Sequence, residues 1–184
     1  MTRIIVTTMP DSRFISYLLD RLPTLEVVED TKRDAWDTYM RSLEVQGDDP
    51  AIHMEDDILL TRDFAAKAQA VIDKRPDSVI QFFSMRGKDL TVGSRWDRQF
   101  AMNQCTYLPA GYPAAFMPFA ESWTRRAENP YGYDTCFNDW LRSRREPYWI
   151  SVPSLVEHRV AVSRIARSRS SRRQSKTFTD LDEE

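Results

Sequence analysis

Residues 51–60 read AIHMEDDILL: Ala51, Ile52, His53 and Met54, then Glu55, Asp56 and Asp57, then Ile58, Leu59 and Leu60. Two short apolar runs flank three adjacent carboxylates. A short apolar run bounded by turn residues reads as a buried strand, and Gly47-Asp48-Asp49-Pro50 supplies the turn directly before this one. Alternate side chains of a strand face opposite ways, so Glu55 and Asp57 are expected to point together, with Asp56 on the other side as an orienting partner. Two carboxylates held close repel, and one takes up a proton near neutral pH unless a cation compensates them. A hard divalent ion with oxygen ligands does so directly. The bland alternative is an acidic turn in a charged protein.

Outward from this stretch the chain alternates. Arg3 to Thr8 (RIIVTT) reads as a buried first strand, followed by a helix carrying Phe14, Tyr17 and Leu18. Leu25 to Val28 fits a second strand, and Asp34 to Gln46 a helix with Trp36, Met40 and Leu43 on one face. After the carboxylates, Thr61 or Asp63 could cap a helix bearing Phe64, Ala68, Val71 and Ile72, with a strand over Val79 to Phe83 beyond it. This order predicts an α/β domain with a mostly parallel central sheet flanked by helices, an architecture that binds ligands beyond the carboxyl ends of its strands. The acidic triplet sits at one such end. From Ser84 to Gln104 the periodicity fails, and Arg86, Gly87, Lys88, Gly93, Arg95 and Trp96 suit either a substrate-facing or a solvated loop. Gln104 to Leu108 reads as a strand, PAGYPAAFMP as a turn into a helix near Phe119 to Glu128, Asp134 as the opening of another helix, and Tyr148 to Val156 as the last strand.

The chain of 184 residues suits one domain. It has no apolar run long enough to span a bilayer and no secretory segment, so a soluble, intracellular protein is expected. Cys105 and Cys136 lie far apart without zinc spacing and read as small core residues. The net charge of -2 hides segregation: Arg164 to Lys176 (RIARSRSSRRQSK) is basic and serine-rich, and DLDEE follows. The division expected is a body over 1–163 and a tail over 164–184 that is flexible, closes over an anionic ligand, or tracks a nucleic-acid backbone.

A metal between carboxylates can clamp a diphosphate and stabilise it as a leaving group. Neither a Walker phosphate loop nor G-x-G-x-x-G occurs, so phosphates would be held by metal and basic side chains. The Met54-Glu55-Asp56-Asp57 block resembles the acidic metal motif of GT-A glycosyltransferases, and its setting resembles glycosyltransferase family 25. Asp11-Ser12-Arg13, Val79 to Phe83, Tyr107 to Met117, YGYDTCFNDWL and VPSLVEHRVAVS agree in order and spacing, up to about Ser171. The resemblance is specific in the MEDD and VPSLVEH blocks and loose elsewhere. The chain is short, as small phage-encoded members are, which would put it in the host cytoplasm.

The resemblance implies a GT-A-like fold and transfer, with inversion, from a nucleotide-sugar donor to a hydroxyl acceptor. It implies Mn²⁺ or Mg²⁺ on Glu55 and Asp57, with His158 as a further ligand where the family more often has Gln. An imidazole beside carboxylates favours Mn²⁺. Asp134 aligns with the family's acidic residue at a helix start and would be the base, with Asp139 as substitute; the other role for Asp134 is a helix cap. Thr7, Thr8, Arg13 and Asp30 stand where such folds contact the nucleotide, and Arg164, Arg167, Arg172 and Arg173 could bind its diphosphate. Acceptors include a hydroxymethylated base of DNA, reached through a basic surface with Trp96 and Trp123, alongside a nucleotide, a glycan or a protein side chain. Two other readings stand beside it: a metal-dependent nuclease or phosphoesterase that uses the same carboxylates and tail, and a nucleic-acid-binding protein without catalysis, in which the acidic triplet is a structural turn.

Overall fold

A computed structural model of the chain describes residues 1–22, 24–95, 103–160 and 173–181. Strand β1 (Arg3–Thr8) leads into α1 (Ile15–Arg21), β2 (Glu26–Glu29) into α2 (Ala35–Gln46), and β3 (Ala51–Glu55) into a short β4 (Ile58–Leu60) and α3 (Phe64–Ile72). Then come β5 (Ile80–Gln81), β6 (Gly93–Arg95), β7 (Cys105–Leu108), α4 (Tyr112–Glu121), α5 (Tyr133–Ser143), β8 (Tyr148–Ile150) and β9 (Val156–His158). Among the described residues, seven strands form one sheet in the order β2-β1-β3-β7-β5-β8-β6, and β4 pairs with β9 in a separate ribbon. β2, β1, β3, β5 and β8 share a direction, while β7 and β6 oppose it. The architecture is mixed α/β, with the sheet mostly parallel by strand direction.

Each face of the sheet is covered. Tyr17 and Leu18 of α1 and Phe64, Ala68 and Ile72 of α3 pack on Ile4, Val6, Ile52, Met54 and Tyr107. On the opposite face Trp36, Tyr39 and Leu43 of α2 pack with Phe116, Phe137, Trp140 and Leu141 of α4 and α5, against Leu108 and Ile150. Alternation along β7 explains the split: Tyr107 serves one core and Leu108 the other. Asp34 caps α2, its Oδ1 accepting from the backbone of Trp36 at 3.0 Å and Asp37 at 3.1 Å. Gly47 ends that helix at φ 62, a left-handed conformation that favours glycine.

Several elements differ from expectation. The helix expected near Phe119 to Glu128 lies earlier, over Tyr112–Glu121, and Thr124–Ala127 is a 3₁₀ turn. Pro113 lies in its first turn, where a missing N–H costs nothing, so PAGYPAAFMP starts a helix rather than only preceding one. The run Tyr148 to Val156 divides between two sheets at a turn containing the cis Val152–Pro153 peptide. β6, inside the expected loop, pairs with β8. Neither Thr61 nor Asp63 caps α3 with its side chain: Asp63 is left-handed with no such bond, and Thr61 Oγ1 donates to the Asp180 carbonyl at 3.1 Å. Trp123 is core, stacked on Trp36 at 5.6 Å, and Trp96 lies outside the described residues. Cys105 and Cys136 are buried and free.

The described part of the tail packs on the body. Ser175 N donates to Glu157 Oε1 at 3.0 Å, Ser154 N to Thr177 Oγ1 at 3.0 Å, and Lys67 pairs with Asp180 at 2.7 Å. Thr61 and Leu181 form an antiparallel bridge. No helix among the described residues is long and apolar enough to cross a membrane.

Candidate functional site

The carboxyl ends of β1, β3, β5 and β8 share one edge of the sheet, and the acidic triplet stands there. Glu55 is the last residue of β3, its N–H donating to the Gln104 carbonyl at 3.0 Å. Asp56 and Asp57 lie in a bend beyond the ladder. Asp57 is therefore positioned by the β4–β9 ribbon rather than by strand alternation: Ile58 registers with His158, and Arg159 N donates to the Asp57 carbonyl at 2.9 Å. The outcome is still a divergence of Asp56 from its neighbours. Asp56 Oδ2 accepts from Thr8 Oγ1 at 2.6 Å, while Asp57 Oδ2 lies 3.2 Å from His158 Nε2.

The electrostatics are those of like charges pressed together. Burial, then the charge of Asp57, pushes Glu55 up to about 7, against the bond from Tyr133 and the positive fields of His158 and Arg173. Burial raises Asp56 above the ordinary carboxylate range, opposed by bonds from Ser12 and Thr8. His158 is buried, and its Nδ1–H donates to the Arg159 carbonyl at 2.6 Å, so in the neutral ring Nε2 carries the lone pair. That lone pair accepts from Arg173 Nη2 at 2.5 Å. Burial pulls the imidazole down, but the bond to Asp57 and its charge carry the net shift upward, with Arg173 opposing. A proton and Arg173 therefore compete for one nitrogen.

Among the described residues, no three His, Cys, Asp or Glu side chains close around one point tightly enough to hold a metal ion as they stand. The donor set nevertheless fits a divalent cation. Among the described residues Asp57 Oδ1 is buried with no hydrogen-bond partner, burial and then the charge of Asp57 drive Glu55 toward protonation, and the bond at Nδ1 leaves Nε2 as the ring nitrogen facing Asp57 Oδ2, 3.2 Å away. A cation would relieve the orphaned oxygen and the repulsion together. For His158 to ligate it, Arg173 would have to withdraw.

The other residues singled out in the sequence fall into three groups. Thr8 and Asp134 stand at this edge: Thr8 holds Asp56, and Asp134 occupies the first turn of α5, its charge acting on Tyr133 and Tyr39. Gly132, not Asp134, is the N-cap of α5, and Asp134 Oδ1 accepts from Thr135 N at 2.7 Å. Thr7 pairs in register with Glu55 and reaches the Met54 carbonyl at 3.4 Å, and Arg13 is exposed over the Phe14 ring. Asp30 also stands at this edge, directly beyond β2: its N–H donates to the Thr8 carbonyl at 2.7 Å, and its Oδ1 accepts from Asp34 N at 2.8 Å and shapes the approach to α2. Elsewhere, Asp139 is bound to Trp123 Nε1 at 3.1 Å and Arg125 at 2.9 Å. Arg173 reaches the site; Arg164, Arg167 and Arg172 lie outside the described residues. In the expected substrate loop, Arg86 is committed to the buried Asp89 at 2.8 Å and to the Tyr148 hydroxyl at 2.7 Å.

Two contacts escaped the sequence reading. The Tyr133 hydroxyl donates to Glu55 Oε1 at 2.6 Å across 78 residues of chain. Arg159 packs its guanidinium over Tyr17 at 4.6 Å and Phe14 at 5.2 Å, joining α1 to the end of β9. Tyr133 carried one legible signal, its place beside Asp134 at a helix start. No protein-family model matches the chain, and no curated protein matches it.

Proposed function

We propose that the protein is a metal-dependent glycosyltransferase of GT-A-like fold that moves a sugar from a nucleotide-sugar donor to a hydroxyl acceptor. The observation that carries this reading is that Asp57 and His158 stand 3.2 Å apart at the carboxyl edge of the sheet, with the charge of Asp57 acting on Glu55 beside them and, among the described residues, the buried Asp57 Oδ1 without a hydrogen-bond partner. Glu55 and Asp57, with His158, would hold Mn²⁺ or Mg²⁺, which when bound supplies charge compensation for a leaving diphosphate. Arg173, beside these groups, offers a planar guanidinium to phosphate oxygens once it leaves the imidazole. Asp134, on the turn of α5 that touches Glu55 through Tyr133, accepts the proton of the attacking hydroxyl. Displacement by that hydroxyl inverts the anomeric centre. DNA carrying hydroxymethylated bases stands among the acceptors of this reading.

The test is a thermal-shift screen of nucleotide diphosphates and nucleotide sugars, each with and without Mn²⁺, on wild type and Asp57→Ala. A ligand that binds the folded state raises the melting temperature. Stabilisation by one nucleotide sugar that needs Mn²⁺ and disappears in Asp57→Ala is the expected result, accompanied by a loss of transfer on the order of a thousandfold. No shift with any donor, beside metal-independent binding to nucleic acid, would overturn the reading.

A further inference from the structure

Tyr133 opens α5, and its hydroxyl donates to Glu55 Oε1 at 2.6 Å. Its ring cannot readily turn away, because it stacks on Tyr39 with centroids 4.6 Å apart and planes 24° apart. Tyr39 is itself 4% exposed and wedged edge-on against Phe116 at 6.4 Å and His53 at 6.3 Å. A chain of packed rings thus runs from the interior of the α2 layer to one oxygen of the acidic triplet.

We propose that Tyr133 is a positioning residue for the cation site: its hydroxyl occupies Glu55 Oε1, leaves Oε2 as the oxygen presented to the metal, and ties the Asp134 turn to the end of β3. The inference rests on the reading that Glu55 holds a divalent cation. A carboxylate at a strand end has freedom about its side-chain torsions, and a hydrogen bond from a locked ring removes it before the cation arrives. Groups that orient metal ligands in this way are worth about 10–100-fold in affinity. Tyr133→Phe retains the stacked ring and loses only the hydroxyl. Tyr39→Phe removes a hydroxyl from the same stack without touching Glu55.

The measurement is titration of Mn²⁺ alone, with free ion followed by electron paramagnetic resonance, on wild type, Tyr133→Phe and Tyr39→Phe, with thermal unfolding of each. The expected result is a loss of Mn²⁺ affinity of about tenfold or more in Tyr133→Phe. Tyr39→Phe should stay near wild type, and all three proteins should melt within a few degrees of one another. Equal affinity of Tyr133→Phe and wild type overturns the positioning role while leaving the cation site standing. So does an equal loss in Tyr39→Phe, which would mark general loosening. Failure of wild type to bind Mn²⁺, with or without a nucleotide diphosphate, removes the cation reading and this inference with it.

Discussion

The molecule holds two histidines, His53 and His158, each on a strand and nearly equally buried, at 3% and 1% exposed, and their surroundings drive them in opposite directions. His53, in the middle of β3, meets neutral partners: Gln46 Oε1 at 2.7 Å and Ser42 Oγ at 3.2 Å. Burial, then the charge of Arg3, lowers it to about 3, so it stays a neutral, satisfied core residue. His158, at the end of β9, meets Asp57 and Arg173, and its shift is upward despite burial. Burial alone therefore does not make a functional histidine. A buried imidazole facing charged groups has its protonation set by them, whereas one closed by amide and hydroxyl stays neutral.

The comparison breaks first at His53. His53→Ala strips Gln46 Oε1 of its partner, and Gln46 cannot turn to find another because its amide nitrogen already donates to the Asp49 carbonyl at 2.8 Å. The expected cost is about 3 kcal/mol of unfolding free energy, read by denaturant titration, with Mn²⁺ affinity unchanged. A loss of Mn²⁺ binding in that variant would end the distinction between the two residues.

A smaller effect sharpens it. Glu55 is raised to about 7, so the folded state holds a proton that the unfolded chain, with an ordinary value of 4.5, has released. In the cation-free protein this group therefore costs stability as pH rises from 4.5 through about 7. Mn²⁺ needs the ionised form, so its affinity should rise about tenfold per pH unit below 7 and level off above, measured by calorimetric titration. His53 has the opposite sign: its contribution is lost as pH falls from 6.5 toward about 3. The stability difference between wild type and His53→Gln should trace that slope.

The smallest effect lies in the tail. Arg173→Ala frees Nε2 of His158 and removes one guanidinium from the proposed phosphate site. Affinity for a nucleotide diphosphate with Mn²⁺ should fall about tenfold, while Mn²⁺ alone binds at least as well as to wild type. Weaker binding of Mn²⁺ alone would show that Arg173 supports the cation site rather than contesting it.

Local pattern carried much of the architecture. The apolar runs at Arg3–Thr8 and Ala51–Glu55 were legible as strands, and Asp34 and Gly47 bracketed α2, because strand burial and helix ends are written in residues a few positions apart. The helix over Tyr112–Glu121 was misplaced because Pro113 and Pro118 read as breakers, and only the start of a helix makes the first of them harmless. The split of Tyr148 to Val156 into β8 and β9 was invisible, since two strands joined by five residues look like one apolar stretch until their partners are known.

By itself the sequence determined that three carboxylates end a buried strand in an alternating α/β chain, and that a histidine and a basic segment lie far downstream. These follow from neighbours in the chain and from the period of burial. Only the tertiary structure decided which partners the carboxylates meet. Asp57 was assigned to His158 by the register of β4 with β9, Asp56 to Thr8 by the end of β1, and Glu55 to Tyr133 by the start of α5. Each pairing spans tens of residues, and the physical reason it escaped the sequence is that hydrogen-bond partners are chosen by packing, which no local periodicity records.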